Sequence, residues 1–313
     1  MFRSVLLWAS TNHFLASRLP QFGPVKRATK RFMPGERLED ALWAAGVLAG
    51  EGIRTTITQL GENLDSPDDA DAVLEHYLKA VELIRAFELD VEISVKPTQL
   101  GLDYSFPDTL DRLGRLARAA RPVPVWMDME GSPYVDRTLD LLKAMREEDE
   151  HVGVCIQAYL RRVEDDLRSL LPLGTSLRLV KGAYLESPEV AFPDKAAVDA
   201  NFLHIARLML EAKAAGGEGR PVIATHDPRM IAGTEAAATE LGLSPGDYEY
   251  AMLYGIERNE QARLAEKGHQ VRVLISYGEE WFPWYMRRLA ERPANLWFVL
   301  KQIAGSQRKL PAR

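Results

Sequence analysis

The chain has 313 residues, 46% of them hydrophobic and 27% charged, enough to bury one large core or two ordinary ones. Its formal net charge of −6 excludes the basic footprint expected of a non-specific nucleic-acid binder. Cys155 is the only cysteine, so neither an internal disulfide nor a cysteine-rich zinc site can form, which fits a reducing compartment.

The first 27 residues are apolar and basic and contain no acid. Their apolar run, "VLLWA", falls short of the roughly 7–15 residues of a secretory core. Nothing in the chain approaches the ~18 apolar residues of a spanning helix. This segment reads as an amphipathic helix that either docks on the protein or touches a membrane surface. Residues 36–49, "ERLEDALWAAGVLA", predict a second helix closed by Gly50 and Gly52. Residues 1–52 are therefore expected to form an N-terminal helical arm.

From residue 53 the pattern changes. Short β-rich runs recur at 53–62, 90–97, 123–130, 152–160, 176–184, 221–227, 248–255 and 271–278. Helical stretches lie between them, among them "DADAVLEHYLKAVELIRAFE" and "FPDTLDRLGRLARAA". Strands alternating with helices in this number predict an α/β fold, a (β/α)8 TIM-like barrel over residues 53–300. No Gly-x-Gly-x-x-Gly follows any run, which counts against a doubly wound dinucleotide fold. The stretch "WFPWYMRRLAER" (281–292) predicts a final helix over the barrel mouth, followed by a tail at 301–313.

Barrel active sites lie at the C-terminal ends of the strands, so side-chain parity matters there. In "DVEISVKP", Val91, Ile93 and Val95 share one face, and Glu92, Ser94 and Lys96 share the other. In "SLRLVKGAY", Leu177, Leu179 and Lys181 oppose Arg178, Val180 and Gly182. The apolar faces should meet the helices, leaving Lys96 and Arg178 in the lumen and Lys181 outside it. Read in order, the strand ends offer Gln59 and Glu62, Lys96, Asp128 and Glu130, then Gln157 and Tyr159. Arg178, Gly182 and Tyr184 follow, then Thr225, His226 and Asp227, Leu253 and Tyr254, and finally Tyr277.

This set is rich in cations and donors and poor in metal ligands. No His-x-His pair exists and only His226 falls at a strand end, so no metal is expected. An inward Lys96 is compatible with an anion clamp or with a Schiff-base aldolase. Asp128 reads as base or counterion, and the converging cations favour a counterion. Arg287 and Arg288 sit in the first half of the last helix, where the helix field disfavours cations and favours an anion. A ligand carrying a carboxylate would account for that pair.

"VKP" on the second predicted strand, "RLVKGAY" on the fifth, "ATHD" on the sixth and "WYMRRLAE" after the eighth together resemble the proline dehydrogenase family, in particular its bacterial single-function members. The resemblance covers about residues 53–300. It implies a (β/α)8 barrel holding non-covalent FAD and oxidising L-proline to Δ1-pyrroline-5-carboxylate, the first step of proline degradation. Carried across, it makes Arg287, Arg288 and Lys96 the carboxylate clamp, Tyr277 and Leu253 pocket walls, and Glu62 the loop acid that pairs with the first arginine. Asp128 matches the aspartate near flavin and substrate, and Arg178 the arginine beside flavin N5. These two are the implied catalytic residues. Met129, Gln157, Val180, Gly182, Ala183, Tyr184, Thr225 and His226 match cofactor contacts. "THD" stands where the family often has "THN", and Trp284–Tyr285 where it often has tyrosine before the arginine pair.

The resemblance also implies a membrane quinone as electron acceptor. A cytoplasmic protein would then make a peripheral contact with the bilayer through its N-terminal segment. The oligomeric state is left open. A Schiff-base aldolase using Lys96 and a non-catalytic carboxylate-binding barrel remain the alternatives.

Overall fold

The computed structural model describes residues 29, 32–61, 64, 66–148, 152–282 and 284–286. In chain order, α1 (Leu38–Gly50) precedes β1 (Arg54–Gln59), α2 (Pro67–Ala86) and β2 (Val91–Val95). Next come α3 (Phe106–Ala120), β3 (Val125–Met127), α4 (Val135–Glu148), β4 (Val152–Gln157), α5 (Val163–Leu170) and β5 (Leu177–Val180). The series ends with α6 (Lys195–Ala214), β6 (Pro221–Ala224), α7 (Pro228–Glu240), β7 (Glu249–Leu253), α8 (Arg258–Glu266) and β8 (Gln270–Tyr277). All strand pairs are parallel and run in chain order, and β8 returns to β1, so the sheet closes as the expected eight-stranded barrel.

Helix starts follow local signals. Ser66 before α2 donates its N–H to Asp69 at 2.8 Å, and Asp194 before α6 accepts from the Ala197 N–H at 2.8 Å. Seven strands sit inside their predicted runs and β8 starts one residue early, at Gln270, while several runs extend past the ladder. β2 stops at Val95, just before Pro97, which has no N–H to give. β5 stops at Val180, two residues before Gly182, whose φ of +112° no strand residue adopts. Lys96, Asp128, Gly182, Thr225 and His226 are thereby released into loops at one end of the barrel.

Parity divides the molecule into two interiors. Val91, Ile93, Val95, Leu177 and Leu179 join a continuous apolar layer between sheet and helices. The inward faces carry polar groups instead, and toward the N-terminal ends these form a closed network. Arg272 Nε lies 2.9 Å from Glu249 and 3.2 Å from Glu92, while Arg220 lies 2.7 Å from Glu92 and 3.4 Å from Glu249. The Trp126 indole N–H donates to Glu92 at 2.6 Å. Two carboxylates against two guanidiniums, cross-linked by shared hydrogen bonds, floor the lumen.

The flank between β8 and β1 is covered by α1, which packs against both strands. The described residues after β8 turn elsewhere. Residues 281, 282 and 284–286 are helical, and Trp281, Phe282, Trp284, Tyr285 and Met286 bury themselves with Phe32, Met33, Leu60 and Ile256. Leu60 and Ile256 follow β1 and β7, so the described start of the last helix lies over the mouth. Trp281 also donates its indole N–H to Glu36 at 3.1 Å. The predicted helix within residues 1–27 and the tail at 301–313 lie outside the described residues.

The floor network gives a test. Glu249 is fully buried, so Glu249→Ala leaves Glu92 as the one carboxylate that Arg272 and Arg220 share, with Asp90 3.5 Å from Arg272 alone. The variant is expected to lose about 3–5 kcal/mol of unfolding free energy in urea titration, and a loss below ~1 kcal/mol would show that the network has no net weight.

Candidate active site

The inward side chains at the C-terminal ends fall into two sectors. β1 to β4 present Thr58, Lys96, Asp128 and Gln157, all polar. β5 to β8 present Val180, Ala224, Leu253 and Leu274, all apolar and all partly open to solvent although they face inward, and β8 adds the buried Ser276 beside Thr58 on the polar side. Leu253 and Leu274 are register partners on β7 and β8, so their side chains form one wall. The mouth is a bowl, polar on one side and apolar on the other.

Arg178 crosses the lumen from β5 to the polar sector. Its Nη2 donates to Asp128 Oδ1 at 2.6 Å and to Ser94 Oγ at 2.7 Å, and its Nε donates to Cys155 Sγ at 2.8 Å. The guanidinium carbon lies 5.0 Å from the Trp126 ring. Burial works against the Arg178 charge, but the Cys155 and Asp128 acceptors hold it firmly protonated. Burial pushes the Cys155 thiol up to about 11, with Asp128 adding to the rise, so it stays a neutral thiol.

Lys96 is 7% exposed at the end of β2. Among the described residues no carboxylate lies within ion-pairing distance of its ammonium. Its backbone N–H donates to Gln99 Oε1 at 3.3 Å, and Gln99 in turn donates to the carbonyls of Gln59 at 3.1 Å and Gly61 at 2.7 Å. Gln99 thus ties the β1 loop to the lysine. Gln157 donates through Nε2 to the carbonyls of Met129 at 3.2 Å and Glu130 at 3.3 Å. That fixes its amide with Oε1 buried and without a donor among the described residues.

On the rim after β5, a Cβ on Gly182 would stand 2.1 Å from the Tyr159 ring, so ring and backbone approach closer than any other residue permits. Thr225 Oγ1 accepts from the Asp227 N–H at 3.1 Å, and His226 Nε2 accepts from the Leu253 N–H at 3.2 Å. An accepting Nε2 requires a neutral imidazole, and the His226 bond knits the end of β6 to β7. Lys181 points outward, as parity predicts, to Asp199 at 2.5 Å and Asp227 at 3.1 Å. Lys195 and Arg229 pair with the same two carboxylates, giving three cations around two acids where α6 and α7 begin. Burial opposes the Asp227 charge, yet Arg229 and Lys181 hold its carboxyl far below the usual range. The surplus cation and two helix N-termini suit an anion.

One sequence expectation is corrected. Tyr277 is not a mouth wall: it lies on the outer face of β8, 1% exposed, with its hydroxyl 2.9 Å from His76 Nε2 on α2. The inward positions of β8 are Arg272, Leu274 and Ser276, and Leu274 takes the place on the wall. The alternation in "VRVLISY", with Val271, Val273, Ile275 and Tyr277 on one face, carries that signal. The Lys195–Arg229 cluster and the Ser94 and Cys155 contacts were also missed. Glu62, Arg287 and Arg288 lie outside the described residues.

Comparison with known proteins bears directly on this site. A family model described as proline dehydrogenase matches residues 42–301. Proline dehydrogenase 1 of Bacillus subtilis is 38% identical over 305 residues, covering 97% of this chain and 99% of that protein. The chain belongs to the proline dehydrogenase family. The Deinococcus radiodurans proline dehydrogenase is 36% identical over 279 residues, covering 87% of this chain and 88% of its own length. Among solved structures, proline utilization A from Bdellovibrio bacteriovorus, inactivated by N-propargylglycine, superposes with a TM-score of 0.80 at 26% identity. That likeness covers 98% of this chain and 38% of the longer protein. The family match runs from α1 through the whole barrel and spans Arg287 and Arg288 in the sequence.

In this member of the family Gly182 has two reasons to be glycine, and they can be separated. Gly182→Ala is expected to lower unfolding free energy by about 1–3 kcal/mol, read by chemical denaturation. Adding Tyr159→Ala should restore part of it, since the ring is then gone; no restoration would sink the ring contact as the cause.

Proposed function

We propose that the protein oxidises L-proline to Δ1-pyrroline-5-carboxylate at the barrel mouth, using FAD, in the first step of proline degradation. FAD, when bound, supplies the acceptor for the hydride leaving ring carbon C5. The observation that carries this reading is the divided bowl: an inward Lys96 without a counterion among the described residues faces a wall of Leu253 and Leu274. A small ring bearing one carboxylate fits that division better than a sugar or a phosphate ester would.

The chain's own residues fit the cofactor. Gln157 Oε1 is a buried acceptor still lacking a donor among the described residues. The Gly182 and Ala183 N–H groups donate to no backbone carbonyl among them. Val180 and these two residues would contact the flavin together with Met129 and with Gln157, the register partner of Val180 on the neighbouring strand. The Lys181, Lys195 and Arg229 cluster lies farther out, beside Thr225 and His226, and together with Tyr184 would receive the cofactor's negatively charged portion.

Lys96, with Arg287 and Arg288 as their sequence positions suggest, would grip the carboxylate and so orient the ring. The leucine wall would exclude water from the other side. Holding the donor carbon within ~3–3.5 Å of its acceptor accounts for much of the rate. Arg178 would present positive charge where electron density accumulates, and Asp128 balances it. Glu62 would close the β1 loop over the ligand by pairing with Arg287.

Delivery of the electrons to a membrane quinone is part of the proposal. Among the described residues no helix is long and apolar enough to cross a membrane, so the contact would be peripheral, through residues 1–27. Deleting residues 1–30 should weaken binding to lipid vesicles and quinone-linked turnover, and unchanged values for both would remove that role. A Schiff-base aldolase using Lys96 is the alternative, and membership of a dehydrogenase family weighs against it.

The purified protein should be yellow and should bleach anaerobically when proline is added. A colourless protein that forms a borohydride-trapped adduct on Lys96 would overturn the reading in favour of the aldolase. Arg288→Met is expected to raise the KM for proline about 10- to 100-fold, the weight of one charge-assisted bond, with flavin content unchanged. Parallel loss of flavin would assign the arginine to the fold instead.

A further inference from the structure

Arg178 is held by more than its ion pair. Its Nε donates to Cys155 Sγ at 2.8 Å, and its Nη2 to Ser94 Oγ at 2.7 Å and Asp128 Oδ1 at 2.6 Å. Those three acceptors are themselves linked: Ser94 Oγ donates to Asp128 Oδ1 at 2.9 Å, and Cys155 Sγ points at the same oxygen at 3.7 Å. Trp126 supports the guanidinium face, and the Trp126 ring is in turn backed by Arg220, whose guanidinium carbon lies 5.3 Å from it. The cage uses Nε, Nη2 and Oδ1. It leaves Arg178 Nη1 and Asp128 Oδ2 with no partner among the described residues. Neither atom is sealed off, since neither belongs to the fully buried unsatisfied groups.

We infer that Ser94 and Cys155 are positioning residues, which fix the Arg178 plane so that Nη1 is the one nitrogen left to face the cofactor in the mouth. This rests on the flavin-dependent reading above. A guanidinium is a rigid fork, so fixing the Nε–Nη2 edge fixes the direction of Nη1. Neither Ser94 nor Cys155 needs to touch the ligand. A neutral thiol suits the part, because it accepts from Nε while still having a proton to direct at Asp128. A thiolate would compete with Asp128 for the same cation.

The test compares Ser94→Ala, Cys155→Ala and Cys155→Ser as flavin-loaded enzymes. A misdirected donor near the reacting atoms should lower kcat about tenfold in either alanine variant, with the KM for proline changing less than twofold. The flavin midpoint potential should fall by about 30 mV, the equivalent of a tenfold shift in a two-electron couple. Cys155→Ser, which keeps an acceptor and a donor in place, should recover most of both. Should Cys155→Ala fail to fold, Ser94→Ala removes a single oxygen and carries the same expectation. Unchanged potential and kcat in the alanine variants, even with reduced melting temperature, would overturn the inference and leave the two residues as packing. A wild-type chain that takes up no flavin would overturn the functional reading together with it.

Discussion

The pairing of Arg178 with Asp128 is the constraint around which the upper lumen is arranged. A closed barrel sends alternate side chains of every strand into a space that excludes most water. Either charge alone there would cost several kcal/mol, and the 2.6 Å bond between them removes most of that penalty. Ser94, Cys155 and Trp126 then satisfy or support what the ion pair leaves over. The position of the guanidinium is a consequence of the whole inner face and not of β5 alone.

The same logic explains why the lumen has two levels. At the floor, Glu92, Glu249 and Arg272 are almost fully buried and pair with one another and with the partly exposed Arg220, a condition suited to stability. At the mouth the balance is deliberately incomplete: Lys96 has no counterion among the described residues and Gln157 Oε1 has no donor. Polar groups left in that state call for a partner, and at an open barrel end a ligand can supply it. Trp126 joins the levels, since Arg178 and Arg220 both lie against its ring.

Much of this was legible in the sequence wherever the period-2 alternation was clean. "DVEISVKP" separates three aliphatic residues from Glu92, Ser94 and Lys96, and the structure puts the two sets on opposite faces. The barrel followed from repeated runs of that kind. Tyr277 failed because likeness of motif was allowed to outweigh parity: it ends an alternation whose other members, Val271, Val273 and Ile275, all face the helices. The anion-favouring cluster was illegible for another reason. Lys181, Asp199 and Asp227 belong to three elements separated by 18 and 28 residues, and only closure of the sheet sets them side by side. The Arg178 cage has the same origin, since 84 positions separate Ser94 from Arg178.

The path of the chain at its two ends completes the argument. In a regular (β/α)8 barrel the helix after β8 would cover the flank between β8 and β1. Here α1 already covers it, packed against both strands. The segment after β8 is left to turn across the mouth, where Trp281, Phe282 and Tyr285 anchor it on Leu60 and Ile256 and on Phe32 and Met33 from the N-terminal side. Arg287 and Arg288 follow directly in the sequence. Replacing one flanking helix by a segment from the other end of the chain therefore links the fold to the open end of the barrel: it leaves Trp281, Phe282 and Tyr285 to build an apolar cover there instead of a flank.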